Sequence, residues 1–146
     1  LMKKENLTPD QMSDLLNKQS GVKGISGISS DIREVEAGIR EGNERAKLAM
    51  EMYDYRIKKY IGAYAAAMGG VDIVVFTAGV GEHQWDVRQG ACEDLEFMGI
   101  KIDAEKNKAN CGEEEIISAP DSKVKVVVVP TDEELLIASD TLDLVK

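Results

Sequence analysis

The sequence predicts an α/β fold in which parallel strands are joined by crossover helices. Two apolar runs, residues 71–76 and 124–129, have the composition of strands that are buried on both faces. Helix-like segments lie before the first run and after each run. Two strands do not complete a sheet, because sheets usually contain about four to six. We therefore expect an incomplete sheet in a piece of a larger protein, and the opening Leu1, with no initiator Met, agrees with this expectation.

The composition is that of a globular domain and argues against two kinds of partner. The chain has 146 residues, of which 43% are hydrophobic and 31% are charged, and its net charge is −9. This acidity disfavours nucleic acid, whose phosphates require clustered Lys and Arg. No apolar run approaches the ~20 residues of a membrane-spanning helix, so no membrane partner is predicted. Cys92 and Cys111 lack metal-site spacing and are expected to be free thiols of a cytoplasmic protein.

The first third of the chain predicts short helices around a loop rich in Gly and Ser. Thr8, followed by Pro9 and then Gln11, is a capping pattern and predicts a helix over about 9–18. Residues 20–30 predict a loop, which is either a free linker or, because apolar residues interrupt it, an anchored one. Ser30 or Asp31 then begins another helix.

A long helix is predicted next, from about Glu44 to Met68. Asn43 provides its N-cap, and its apolar residues recur at intervals of three and four. Its last turns are rich in Ala and Gly, which implies close packing, and the pair Gly69-Gly70 suits a C-cap.

The first apolar run ends in a glycine-rich turn, and this feature carries the functional prediction. Residues 77–83 read TAGVGEH, and a helix is expected over about 84–97 with Val87, Ala91, Leu95 and Phe97 on its buried side. A strand, a glycine turn and a helix form phosphate sites in α/β proteins, because Gly permits close approach and a helix N-terminus offers free N–H groups. The alternative is an ordinary βα turn.

The rest of the chain predicts two short strands, the second buried strand and a last helix. The short strands are expected at 100–102 and 116–118, followed by the buried run 124–129. In the last helix Thr131 is predicted to be the N-cap and Glu134 to complete a capping box.

Three segments together resemble the acetate kinase family. Residues 26–33, SGISSDIR, resemble its adenosine-binding loop. Residues 76–83, FTAGVGEH, resemble its second nucleotide loop, FTAGIGEN, and residues 129–134 resemble its PTNEE segment. The runs at 64–70 and 95–100 match as well, so the resemblance covers the whole chain as the C-terminal third of such an enzyme.

This resemblance implies an RNase H-like lobe of the actin-like ATPase fold, with residues 1–146 as the C-terminal part of the nucleotide-binding lobe and no second domain. It implies phosphoryl transfer between ATP and acetate with Mg²⁺ in a homodimer, with ATP or ADP as the nucleotide. It places adenine and ribose beside Asp31, Ile32 and Arg33, and assigns Mg²⁺ to Glu133, or else Glu134, through water. The ribose and phosphates are assigned to Gly79, Val80, Gly81, Glu82 and His83.

Each assignment has a purely structural alternative. Asp31 also suits a helix cap, Arg33 a solvated surface cation, and Glu82 and His83 the first turn of a helix. Glu133 lies where a helix start favours acids in any case. Two residues depart from the family pattern, since His83 replaces Asn and Asp132 replaces Asn. We expect the added charge of Asp132 to raise the local attraction for Mg²⁺ slightly.

No catalytic residue is predicted in this chain. The resemblance places the acetate pocket and the catalytic Asp, Arg and His upstream, and Arg88 is interpreted as surface charge. The isolated chain is therefore expected to be inactive. The alternatives are another short-chain carboxylate kinase, for propionate or butyrate, and a non-catalytic dimerisation module built on the tyrosine face of the long helix.

Overall fold

A computed structural model describes residues 1–145 of the chain as nine α-helices, one short 3₁₀ helix (Glu96–Met98) and three strands. The strands are β1 (Ile73–Phe76), β2 (Glu115–Ile116) and β3 (Lys125–Val128). The helices are α1 (Met2–Glu5), α2 (Pro9–Lys18), α3 (Gly21–Ser26), α4 (Ile32–Arg40), α5 (Glu44–Met68), α6 (Ala78–His83), α7 (Trp85–Cys92), α8 (Ala104–Ala109) and α9 (Glu133–Val145). The described residues fall into two compact units, Leu1–Ile57 and a second that starts at Lys58, so the boundary lies inside α5.

Local capping chemistry defines the helices of the first unit. Thr8 and Gln11 form the predicted capping box at the start of α2. The Asn43 side chain accepts hydrogen bonds from the N–H groups of Arg45 and Ala46, which confirms its prediction as the N-cap of α5. The expected loop at 20–30 is wrong in part, because residues 21–26 form α3 before Gly27 ends that helix at φ 72°.

The helix α5 has the predicted bounds, and the glycine pair ends it. Gly69 has a φ of 77°, and the N–H groups of Gly69 and Gly70 donate to the carbonyls of Ala66 and Ala65. The alanine-rich last turns are mostly exposed, with Ala65 as the buried exception, so the described residues do not provide the close packing that was expected there.

The sheet of the second unit has the order β1-β3-β2, with β1 and β3 parallel as predicted. The strand β2 pairs antiparallel to β3 on its other side. The prediction that residues 71–76 are buried on both faces is wrong for the described residues, because Ile73 and Val75 are each 52% exposed. The expected strand at 100–102 is reduced to two isolated bridges, Ile100 to Val124 and Ile102 to Ser118.

Two helix predictions differ from the structure in part. The helix predicted from about residue 84 begins at Trp85, as α7, and a further short helix, α6, precedes it from Ala78 inside the glycine turn. The helix expected over 84–97 ends at Cys92, and Phe97, predicted to be buried, is 83% exposed. At α9 the cap is Asp132, whose Oδ1 accepts from the Leu135 N–H at 2.9 Å, and not Thr131. No helix within residues 1–145 has both the length and the apolar character needed to cross a membrane.

Candidate functional site

The loop at 26–33, in the first unit, is ordered by its own short side chains. The Ser26 hydroxyl accepts from the Ile28 N–H at 3.2 Å, and the Ser29 hydroxyl accepts from the Asp31 N–H at 3.0 Å. Each bond closes a local turn, which is the usual role of Ser and Asp beside a helix start. The loop is also anchored, because Ile28 packs so closely on α4 that a Cβ on Gly38 would lie 2.4 Å from its Cδ1. Of the two interpretations, the anchored loop is therefore confirmed.

Asp31 and Arg33 form a paired unit at the end of this loop. Asp31 Oδ1 accepts from both the N–H and the Nε of Arg33 at 3.0 Å, and its Oδ2 accepts from Nη2 at 2.6 Å. The side-chain hydrogen bonds from Arg33 hold the pKa of Asp31 below its ordinary value. The side chain of Arg33 is 82% exposed, so one face of its guanidinium plane stays open to a stacking partner. Capping and ligand contact are therefore compatible roles for this pair.

The two glycines of the turn after β1 have different surroundings. A Cβ on Gly79 would meet no atom within 4 Å, whereas one on Gly81 would lie 3.1 Å from the carbonyl carbon of Phe76. A side chain at Gly81 would thus crowd β1, while Gly79 leaves open space in which a ligand can approach the backbone. Ala78, with a φ of 58°, turns the chain between the strand and the helix.

Glu82 faces the start of α9 and is only 8% exposed. Its Oε1 accepts from the N–H of Thr131 at 2.9 Å and from the Thr131 hydroxyl at 3.0 Å. The hydrogen bond from the Thr131 N–H lowers the pKa of Glu82, so the carboxylate is ionised at neutral pH. The side chain that the sequence assigned to nucleotide thus joins two protein segments.

Arg88 is fully buried behind the glycine turn, and its interpretation as surface charge is wrong. Its Nη1 donates to the carbonyls of Gly81 and Glu82 at 3.0 and 2.6 Å. Its Nε donates to the Asn107 side chain at 2.7 Å, and Nη2 donates to the carbonyls of Asn107 and Asn110 at 2.8 and 3.2 Å. Desolvation lowers the pKa of Arg88. The five acceptors include no carboxylate, so carbonyl and amide dipoles alone compensate for the buried charge in these bonds.

His83 lies over the backbone of Gly112. A Cβ on Gly112 would be 2.5 Å from its Cε1 and 2.8 Å from its Nδ1, so a side chain there would force the ring to move. The side chain of His83 is 61% exposed, and Nε2 lies 4.0 Å from Glu82 Oε2. The ring therefore lies at the surface of the second unit.

The start of α9 carries the proposed metal carboxylates. Glu133 and Glu134 are exposed in its first turn, while Oδ1 of Asp132 is engaged in capping. Within residues 1–145 no three His, Cys, Asp or Glu side chains are arranged to hold a metal. A Mg²⁺ ion bound by these described residues would therefore keep most of its water and take further ligands from phosphates.

The second unit brings together residues that are far apart in the sequence. The glycine turn, through Glu82, meets the segment leading into α9, and Arg88 joins the same turn to α8 and its following loop. Asn107 and Asn110 had no predicted role, and the predictions for Thr131 as an N-cap and Arg88 as a surface charge were wrong. One signal was present for Arg88, since it lies three positions before Ala91 and therefore on the same buried side of the helix.

An α/β architecture with this parallel strand pair is shared with crystal structures of the actin-like ATPase fold. The chain matches acetate kinase of Porphyromonas gingivalis with a TM-score of 0.91 and 61% identity, over 100% of this chain and 37% of that one. A propionate kinase from Francisella tularensis subsp. tularensis SCHU S4 matches with a TM-score of 0.81 and 34% identity, over 94% of this chain and 34% of that one. The fold class is therefore the predicted one, a C-terminal portion of an RNase H-like lobe.

The sequence comparison is more specific. The profile of the Acetokinase family matches residues 1–139, and the chain belongs to this family. Acetate kinase of Bacteroides thetaiotaomicron is 65% identical over 146 residues, which are 100% of this chain and 37% of that protein. The chain thus spans little more than a third of the length of the relatives that it matches.

Proposed function

We propose that the chain is the C-terminal, nucleotide-binding part of an acetate kinase. The full-length enzyme, meaning the polypeptide of the relatives' length that contains this chain, transfers a phosphoryl group reversibly between ATP and acetate. The observation that carries the proposal is that the segments resembling the family's nucleotide and acidic loops follow β1 and β3, whose carboxyl ends lie at one edge of a parallel pair. Ligands of α/β sheets bind at that edge.

Each loop has a role in this proposal that its geometry supports. Asp31 and Ile32 border the adenine and ribose, and the open plane of Arg33 stacks or hydrogen-bonds there. The exposed backbone at Gly79 approaches the ribose and phosphates, with Val80, Gly81, Glu82 and His83 completing the turn. Mg²⁺, when bound, neutralises charge on the phosphates, and Glu133 orders its water shell.

The acceptor chemistry belongs to the remainder of the full-length enzyme. Phosphoryl transfer depends on positioning and on charge compensation around the moving group. No segment of the sequence resembles the family's acetate-pocket or catalytic motifs, and its one histidine lies in the glycine turn. We propose that the isolated chain does not catalyse the transfer and that the full-length enzyme is a cytoplasmic homodimer.

Steady-state kinetics of the full-length enzyme test this proposal. Acetyl phosphate formation from ATP and acetate, trapped as the hydroxamate, is expected to have a higher kcat/KM than the same reaction with propionate or butyrate. A preference for propionate or butyrate would replace the substrate assignment, and no acyl phosphate from any of the three would refute the function. Acetyl phosphate formed by residues 1–146 alone would refute the placement of the catalytic residues upstream.

A further inference from the structure

We propose that Glu82 is a positioning residue that fixes the metal-bearing start of α9 relative to the nucleotide turn, and that it is not itself a nucleotide ligand. The inference rests on the proposed function, because it gives a role to a residue of the same site.

The sheet brings the two segments together. The strands β1 and β3 are parallel and pair in register from Ile73–Lys125 to Phe76–Val128. The segments that follow the two strands therefore leave the sheet at the same edge. The ladder extends one residue further, where the Val129 N–H donates to the Phe76 carbonyl at 2.9 Å. The glycine turn and the segment leading into α9 therefore begin side by side.

Beyond the last ladder bond, Glu82 makes the connection between these segments. Its carboxylate accepts both donors of Thr131, 49 residues away, at 2.9 and 3.0 Å. Hydrogen bonds to an ionised acceptor are about twice as strong as neutral ones. Pro130, the neighbouring residue, has no N–H to donate, so Thr131 is the first residue after Val129 that can be held in this way.

The main chain of Glu82 is held from the opposite side. Arg88 donates to the carbonyls of Gly81 and Glu82 from a fully buried position. The residue is thus held at its main-chain carbonyl and at its carboxylate, and it is 8% exposed. Turning this carboxylate toward a nucleotide would break its two bonds to Thr131.

The held residue sets the start of α9. Thr131 directly precedes the capping residue Asp132, and Glu133 is the first residue of the helix. Fixing the Thr131 N–H and hydroxyl therefore restricts where the carboxylate of Glu133 can lie relative to the turn. The effect of Glu82 on the site is expected to pass through the metal and not through the nucleotide.

Calorimetric binding of ADP to the full-length enzyme, with Mg²⁺ and with EDTA, tests this inference. Glu82→Ala is expected to raise the Kd for ADP about tenfold with Mg²⁺, which corresponds to about 1.4 kcal/mol, and less than about twofold with EDTA. Thr131→Val keeps the N–H and loses the hydroxyl, so we expect it to raise the Kd for ADP about threefold with Mg²⁺. Glu82→Gln, whose amide oxygen still accepts from Thr131, should remain within about twofold of wild type under both conditions.

The controls separate the possible outcomes. The exposed acid Glu105 on α8 provides a matched variant, Glu105→Gln, that should bind like wild type. The double variant of Glu82→Ala and Thr131→Val should be no weaker than Glu82→Ala, because both changes break one contact. Equal weakening with and without Mg²⁺, or no weakening by either single variant, would overturn the inference. If Glu82→Ala does not fold, Thr131→Val decides, because it too should weaken ADP binding with Mg²⁺ and not with EDTA. Failure of the wild type to bind ADP would instead overturn the proposed function as well.

Discussion

Replacement of Arg88 by Met is the sharpest test of how the glycine turn is supported. The guanidinium donates five hydrogen bonds to Gly81, Glu82, Asn107 and Asn110 over 2.6–3.2 Å. At about 1 kcal/mol net for each, their loss costs about 5 kcal/mol, part of which the apolar stem of Met recovers. We therefore expect Arg88→Met to lower the free energy of unfolding by about 3–5 kcal/mol, a large share of the ~5–15 kcal/mol typical of a folded protein.

Arg88→Lys provides an intermediate case. A single ammonium has three donors at one point and cannot span acceptors on both sides of the guanidinium fork, so a loss of about 2–3 kcal/mol is expected. Urea unfolding of the full-length enzyme measures both losses, and amide exchange of residues 81–83 reports whether the turn itself loosens. Arg40→Met removes an exposed arginine from α4 and should change stability by less than about 0.5 kcal/mol. A loss below about 1 kcal/mol for Arg88→Met, with unchanged exchange at the turn, would refute the bracing role.

Three further predictions concern the glycine turn, the start of α9 and the two thiols. Gly81→Ala places a Cβ 3.1 Å from the Phe76 backbone and should lower the free energy of unfolding in urea by about 1–3 kcal/mol. Gly79→Ala adds its Cβ in open space and should weaken ADP binding without a loss of stability. The opposite pattern would contradict the assignment of the two glycines. Asp132→Ala removes the cap of α9 and should lower the free energy of unfolding by about 1 kcal/mol in the same assay. Asp132→Asn keeps the cap and should reduce the affinity for Mg²⁺ slightly in a titration, and an unchanged affinity would reject the charge effect. Burial raises the pKa of Cys92 to about 12. Of these two thiols, only the exposed Cys111 should therefore react with a disulfide reagent in the native protein, and Cys92 should react only after unfolding. Labelling of Cys92 in the native protein, detected by mass spectrometry of peptides, would count against its burial.

Features that depend on neighbours in the sequence were predicted well. The capping box at Thr8, the cap at Asn43 and the glycine end of α5 all follow from bonds between residues within a few positions of each other. The two apolar runs also identified β1 and β3, because their composition suits no other element of that length. The fold class followed from these elements and their order.

Features that depend on distant partners were missed. Thr131 is a residue type that favours the N-cap, but its N–H and hydroxyl both donate to Glu82, 49 residues earlier, and Asp132 caps the helix instead. The exposure of Ile73 and Val75 likewise depends on what packs against β1, which an apolar run does not specify.

The sequence by itself determined the fold class and the family, because these depend on local patterns and on motif order. Only the tertiary structure decided which polar side chains of the turn are internal. Glu82 and Arg88 have the same charges on either interpretation, but whether a charge meets water or a protein donor depends on the strands that bring distant segments together. The glycine turn was thus recognisable from its residues, and the means by which it is held in place was not.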